Sequence, residues 1–371
     1  MPKRSAQASK KVSKRRKTSA RSWKKSKKVV SLRRKVRLFL LATVAVGLST
    51  ALLTGLSLYR FLKAPFTQAA GGGVVSPSWQ GKEPLSLALV LLEDRNQPTS
   101  AVTDLYILQI DPSRQRYGLV NVDVNTEVAL PMGFGRSTLA QAYSQGNFLQ
   151  IPQGTYFLLQ ALAKATAVPV QGYLITDRVG WEQLGAEFGH PQPQDLGAYF
   201  GWDKLRRPRD FFLVTHGLLR TNLEVGELGR LILFLRQAPS GNVVSWRWEA
   251  GDEEARLRLD ERWRQALADL QVLAEGRRVL ILNGTDRVGL ASFGARVVTN
   301  LGGQVLDAGN AAHSFPTSKL VAYDPYCYTV RVLAEKLGIT EVETYLESRH
   351  GEEPGVARAD ITVILGLDKS F

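Results

Sequence analysis

Disulfide chemistry is the first thing the sequence rules out. Its 371 residues contain one cysteine, Cys327, so no intramolecular bridge can form. A lone cysteine in such a context reads as a small buried hydrophobe rather than a nucleophile. Histidine is scarce as well, with four residues widely scattered. Neither His-Glu-x-x-His nor paired Cys-x-x-Cys occurs, which leaves zinc without a ligand set. There is no Gly-x-x-x-x-Gly-Lys loop to cradle phosphates, so nucleotide hydrolysis finds no support. Acidic residues are missing altogether from residues 1–37, which hold 17 of the 48 lysines and arginines. The formal charge of +14 is therefore local, because beyond residue 37 there are 31 basic and 34 acidic residues, a net −3. A body so balanced has no electrostatic footprint for nucleic acid.

The basic tail, residues 1–37, lacks apolar periodicity and repels itself, which predicts a solvated, disordered segment. From Leu38 through Tyr59 the sequence carries no charge for 22 residues. As a helix rising about 1.5 Å per residue, that stretch spans about 33 Å, enough to cross a hydrocarbon core. Arg33, Arg34, Lys35 and Arg37 precede it, and only Arg60 and Lys63 follow closely. The excess of positive charge before the segment predicts a single-pass plasma-membrane protein with a cytoplasmic N-terminus and extracellular C-terminal domains. A cleaved signal peptide competes, since Thr67 to Ala69 loosely resembles a small-x-small site, but the apolar stretch is long for a signal core. Nuclear targeting is the remaining reading of the tail, and it does not account for the span beside it.

Residues 60–84 contain Gly71-Gly72-Gly73 and Ser76-Pro77-Ser78 and read as a linker. Folding resumes at Leu85 to Leu92, a continuous apolar run, followed by strand-like segments at Asp104 to Ile110 and Tyr117 to Val124. Helical spacing marks Thr155 to Ala167, and Gly172 to Thr176 reads as a further strand. This mixture predicts an α/β layered domain over residues 85–250. Within it, residues 191–210 read as irregular connection. Glu227 to Gln237 form an apolar helix that is either core or the wall of an apolar cavity. The charged, helix-favouring stretch 251–276 reads as a connector. A small α/β domain then occupies 277–371, with strands at Val279 to Leu282, Val305 to Ala308, Lys319 to Tyr323, Val342 to Leu346 and Asp360 to Leu365. Helices at Leu290 to Leu301 and Thr329 to Leu337 complete it, the first rich in small residues for close packing.

Chemistry concentrates at strand ends. Glu93, Asp94 and Arg95 follow the first strand and Asp104 opens the second. Carboxylates suit magnesium and a guanidinium suits phosphate oxygens, although solvated loop charges would look the same in sequence. The Asn283-Gly284 turn before a helix offers amides to an anion, yet such a pair is usually a turn alone.

The order of these segments resembles the LytR-CpsA-Psr family, membrane-anchored transferases that move glycopolymers from a polyprenyl pyrophosphate carrier to peptidoglycan. The family's Gly-x-Asp-x-Arg falls on Leu91-Leu92-Glu93-Asp94-Arg95, its Arg-Ser-Asp-Thr on Val102-Thr103-Asp104-Leu105, and its Pro-Arg-Asp-Thr on Asp123-Val124-Asn125-Thr126. Ala142-Tyr143, Tyr173 to Asp177, Gly180-Trp181 and Arg220 to Leu223 continue the similarity. From Val279-Leu280-Ile281-Leu282-Asn283-Gly284-Thr285 to Asp360-Ile361-Thr362-Val363-Ile364-Leu365-Gly366 the chain resembles the C-terminal domain of many such proteins. The resemblance implies a catalytic role for Arg95 and Asp104, a magnesium ion on Glu93 and Asp104, and a phosphate-bearing lipid or glycopolymer. Arg136 and Arg220 are further candidates for binding it. The sequence departs from the pattern where Val102 and Val124 replace two arginines and Asn125 replaces a carboxylate. Each lost charge-assisted bond removes about 1.5–3 kcal/mol of hold on a phosphate.

Two readings follow. One is a divergent, non-catalytic envelope protein that binds cell-wall or polyprenyl-linked glycopolymer. The other is an active magnesium-dependent transferase whose 228–235 helix lines a channel for the lipid tail. A transcription regulator working through the basic tail is a third class, but a tail beside a bilayer is better explained by anionic headgroups.

Overall fold

A computed structural model describes residues 43–44, 46–67, 77–148, 154–188, 215–239, 242–248, 253–346 and 358–369. The basic tail, the first residues of the apolar segment and the expected irregular connection at 191–210 lie outside them. The chain divides into two compact units, residues 1–62 and 63–371.

In the first unit, α1 (residues 46–62) is helical and its apolar side chains, Leu48, Leu52 and Leu53 among them, are exposed. The hydroxyls of Thr50 and Thr54 donate to the carbonyls of Val46 and Thr50, each at 2.8 Å, so they present no unpaired polar group. Among the described residues no helix is long and apolar enough to cross a membrane.

The second unit is built on a six-stranded sheet. Its centre is β1 (Leu85–Leu92), whose continuous apolar run suits a strand covered on both faces. It pairs antiparallel with β2 (Val102–Asp111), which pairs antiparallel with β3 (Arg116–Val122). A small hairpin of β4 (Glu127–Ala129) and β5 (Arg136–Thr138) leads into α2 (Leu139–Phe148) and α3 (Gly154–Thr166). On the other side of β1 lies β6 (Gly172–Asp177), parallel to it and followed by α4 (Arg178–Phe188). The edges are β7 (Arg220–Thr221) beside β6 and β8 (Val243–Trp248) beside β3, with α5 (Val225–Gln237) between them in sequence.

Strand alternation divides the core in two. Ala88, Val90, Leu105, Ile107, Val120, Tyr173 and Ile175 face α2 and α3. Leu85, Leu87, Leu108, Ile110, Tyr117 and Leu119 face Leu228, Leu231, Ile232 and Leu235 of α5. That helix is therefore core packing, and the lipid-channel reading of it is not what the fold shows. Two further differences from the sequence reading concern segments taken as linkers. Residues 63–67 run alongside 221–225, with Phe66 N donating to Leu223 O at 3.0 Å, and Phe66 and Trp79 are buried. The stretch 251–276 forms α6 (Glu253–Leu267) and α7 (Leu270–Glu275), and Leu259 and Trp263 of α6 enter the core beside Val122 and Trp248.

A five-stranded sheet follows, made of the last five strands of the chain. The unit β9 (Arg278–Asn283), α8 (Leu290–Asn300), β10 (Gln304–Asn310) places β9 and β10 parallel. A second such unit comprises β11 (Lys319–Ala322), α9 (Tyr328–Leu337) and β12 (Glu341–Thr344), whose two strands are likewise parallel. The last strand, β13 (Ile361–Leu365), runs parallel to β9 and antiparallel to β11, so the two units point opposite ways. A Cβ on Gly294 would lie 2.9 Å from Leu365 and 3.0 Å from Ile281, so only glycine lets α8 approach the sheet this closely. Cys327 is buried in this core, and burial pushes its thiol pKa up. A cleft of about 480 Å³ opens at the ends of β9 and β10, lined in part by Arg287, Asn310 and His313. The Asn283 side chain closes its turn, accepting from Thr285 N at 3.0 Å and donating to Arg287 O at 2.8 Å.

The two sheets are joined through α6, α8 and α9. Arg296 grips Asp260 at 2.7 and 2.9 Å, and Asn300 Nδ2 donates to Thr166 O and Ala167 O, each at 3.4 Å. Lys336, its side chain 5% exposed, donates to Pro84 O at 3.0 Å.

The start of α9 is capped from outside. Its N-cap Cys327 supplies no side-chain bond, and Glu275 instead accepts Tyr328 N at 3.0 Å, Thr329 N at 2.9 Å and Thr329 Oγ1 at 2.6 Å. Burial acts to raise the Glu275 pKa, but the bonds from Thr329 and Tyr328 and the charge of Arg277 outweigh it and hold the carboxyl below its usual value. Such a group stabilises the fold above its unfolded pKa of about 4.3, and the contribution is lost as pH falls through the lower folded value. Glu275→Gln is expected to lower stability at neutral pH by about 1 kcal/mol, the worth of a helix cap. Thermal melts of the two proteins should converge as the solution is acidified below that range.

Candidate functional site

Parallel strands present their C-terminal ends together, and β1 and β6 do so with Leu92 opposite Asp177. Asp177 follows Tyr173 and Ile175 on the α2 and α3 face and is 4% exposed. A buried carboxylate needs donors, and three converge on it. Gly180 N donates to Oδ1 at 2.7 Å, while Arg95 N lies 3.2 Å and Arg95 Nε 3.5 Å from Oδ2. A Cβ at residue 180 would fall 2.5 Å from Thr176 Oγ1 and 2.9 Å from Asp177 Oδ1, so glycine is what admits the carboxylate.

The loop that carries Arg95 is fixed on several sides. Glu93 N donates to Ala101 O at 3.0 Å, Asp94 N to Ser100 Oγ at 2.8 Å, and Asn147 Nδ2 to Pro98 O at 3.0 Å. Arg95 is held through its backbone and Nε, whereas its Nη1 is buried and has no hydrogen-bond partner among the described residues. An orphaned donor of this kind costs about 1–3 kcal/mol, more when charged, and a ligand oxygen at that position would remove the cost.

Arg220 reaches the same face. It sits on the edge strand β7 opposite Ile175, two residues short of Asp177 along β6, and is half-buried. Burial pushes the Tyr173 phenol up in pKa, with Tyr143 adding to the rise and the charge of Arg220 pulling the other way. Arg95, in the loop after β1, and Arg220, on β7, therefore come off the two strands that flank β6. Arg136, in the hairpin, is 70% exposed and lies 3.8 Å from Glu127.

The two carboxylates expected at the site are placed differently. Asp104 stands opposite Leu91 and leaves β2 on the side of Tyr106, the α5 side, away from Asp177. Glu93 is exposed, and neither side chain joins an ion pair among the described residues. No group of three or more His, Cys, Asp or Glu able to hold a metal forms among the described residues. Val102 is 2% exposed within the core, and Val124 packs against the same core. The residue that sequence reasoning did not single out is Asp177. Its signal was its place in the Tyr173 to Asp177 stretch that continues the resemblance, three residues before a glycine and 82 residues from the arginine it binds.

Residues 277–368 match the family model described as LytR cell envelope-related transcriptional attenuator, so the chain carries a LytR-type C-terminal domain there. No curated protein matches the sequence. Among solved structures, the transcriptional regulator yvhJ from Bacillus subtilis is 15% identical, with 50% of this chain and 98% of that one covered and a TM-score of 0.39. TagV from B. subtilis is 15% identical over 48% of this chain and 97% of its own, with a TM-score of 0.37. The LytR-CPS2A-psr family protein YwtF (TagT), with bound octaprenyl pyrophosphate lipid, is 10% identical over 53% of this chain and 97% of its own, with a TM-score of 0.34.

Proposed function

We propose that this is a membrane-anchored protein of the cell envelope, a divergent LytR-CpsA-Psr relative that binds cell-wall or polyprenyl-linked glycopolymer through its phosphate and does not transfer it. One observation carries the reading: Arg95, locked to the buried Asp177, keeps a buried guanidinium nitrogen without a partner among the described residues. A phosphate oxygen is the acceptor that a fork of this kind fits best. Arg220 on the same face supplies a second positive charge. The C-terminal domain match and the order of motifs support the envelope assignment. Val102 and Val124, where the resemblance expects arginines, are apolar packing positions, which leaves two guanidiniums against a ligand that the transferases meet with more. The uncharged segment 38–59 anchors the chain in the plasma membrane, with the basic tail inside and both α/β parts outside.

The active transferase is the second reading, favoured by the carboxylates of Glu93 and Asp104, which join no ion pair among the described residues. Two carboxylates are what magnesium takes from a protein when substrate phosphates complete its shell, so the donor type fits. When bound, the ion would neutralise charge on the pyrophosphate. Asp104, however, leaves the sheet on the side opposite Asp177.

Carbonate-washed membranes should retain the intact chain. Once solubilised in detergent, it is expected to bind a polyprenyl pyrophosphate without releasing phosphate, with or without magnesium. Magnesium-dependent turnover that disappears in both Arg95→Ala and Asp104→Ala would establish the transferase instead, and failure to bind would remove both readings.

A further inference from the structure

Three tyrosines gather at one end of the five-stranded sheet. Tyr323 follows β11 and Tyr345 follows β12, and these parallel neighbours bring Ala322 opposite Thr344. The rings come off adjacent strand ends and stack, with centroids 4.5 Å apart at 26°. Tyr326, further along the loop towards α9, is 94% exposed, and Tyr323 is 55% exposed. The backbone beneath them is fixed. Asp324 Oδ1 accepts Tyr326 N at 3.1 Å, Cys327 N donates to Asp324 O at 3.4 Å, Tyr323 N to Asp360 O at 3.3 Å, and Tyr345 N to Ala322 O at 2.9 Å. A rigid loop thus holds aromatic faces in solvent, where the Tyr326 ring adds nothing to the core. Tyrosine brings a large, stiff, amphipathic contact surface at low entropic cost, which is why it recurs in binding surfaces.

Two ion pairs lie beside the rings among the described residues. Arg277 lies 3.8 Å from Asp324, and Arg278 lies 3.3 Å from Asp360 and also donates to it through its backbone. These four cancel, so between them they offer a polyanion no net positive charge. What the surface offers is flat apolar faces, phenolic hydroxyls at their edges, and hydrogen-bonding groups of both kinds alongside. A pyranose ring is complementary to it: its C–H face lies flat on an aromatic ring while its hydroxyls reach outward to donors and acceptors.

We infer that this tyrosine surface binds a neutral, unbranched pyranose chain, at a site separate from Arg95. The test is calorimetric titration of the full chain in detergent with a β-1,4-linked N-acetylglucosamine oligosaccharide. Wild type is expected to bind, with an affinity unchanged between about 50 and about 500 mM salt because no net charge is engaged. Tyr326→Ala is expected to weaken binding at least about tenfold, or about 1.4 kcal/mol, without moving the melting temperature. Tyr323→Ala is expected to weaken it comparably, and Tyr326→Ala decides the matter should Tyr323→Ala fold poorly. Absence of binding to wild type, equal binding by Tyr326→Ala, or uptake of a proline-rich peptide in place of the sugar would overturn the inference. Prenyl pyrophosphate binding should be the same in wild type and both variants, which keeps this result distinct from the fate of the Arg95 reading.

Discussion

Arg95→Ala is expected to reduce affinity for a short-chain prenyl pyrophosphate by about 10- to 150-fold, the equivalent of one charge-assisted contact of about 1.5–3 kcal/mol. The expectation rests on how the side chain is held. Asp177 takes Arg95 by its amide and Nε, and this fixes the plane of the guanidinium before any ligand arrives. A ligand then avoids the entropy of ordering a long side chain. Arg95→Lys keeps the charge but loses the fork, and its affinity should fall between those of wild type and alanine. Asp177→Asn leaves the arginine in place without its counter-charge and should weaken binding by a smaller factor. Arg136→Ala, which removes an exposed side chain beside Glu127, should bind as wild type does. Calorimetry on the four variants gives the order directly, and an Arg95→Ala protein that binds undiminished would end the phosphate reading of this loop.

Trp263→Ala is expected to destabilise the folded body by about 3–5 kcal/mol, the range for removing a large aromatic from a packed core. The indole is 3% exposed and meets Trp246 edge-on, with centroids 6.0 Å apart at 79°. Such an edge-to-face pair contributes about 0.5–1.5 kcal/mol beyond simple burial. Were α6 only a connector, the same substitution would change stability by less than about 0.5 kcal/mol. Urea titration separates the two outcomes by their midpoints. Because Asp260, one turn earlier on the helix, is gripped by Arg296 of α8, loss of α6 packing should loosen the junction with the C-terminal domain as well.

Much of the fold could be read where local signals and tertiary packing agree. The apolar run Leu85 to Leu92 is β1 residue for residue, and the C-terminal strands and helices fall within a few residues of their expected limits. The failures have physical causes. On α6, charged residues crowd the helix and hide a buried pair, Leu259 and Trp263, at a spacing of one turn. On α2, Ser144, Gly146 and Asn147 weaken the helical signal of its second half, and packing against α3 supports it. The helix α5 read as either core or the wall of a cavity; Leu233 is 46% exposed, and the buried set Leu228, Leu231, Ile232, Leu235 is an ordinary single stripe against the sheet. At the site, Arg95 was legible as a cation after a strand, while its anchor Asp177 was not, because strand pairing alone brings the two together. Asp104 fits the motif in sequence, but alternation along β2 turns it to the other side.

The antiparallel meeting of β11 with β13 has a geometric result for the C-terminal domain. Its two crossover halves are laid head to tail, so the strand ends that gather loops and helix starts emerge at both poles. The tyrosines occupy one pole and the cleft near Arg287 and His313 the other, separated by a strand of five residues, about 17 Å. The tyrosine loop and the cleft thus open in opposite directions from one small sheet.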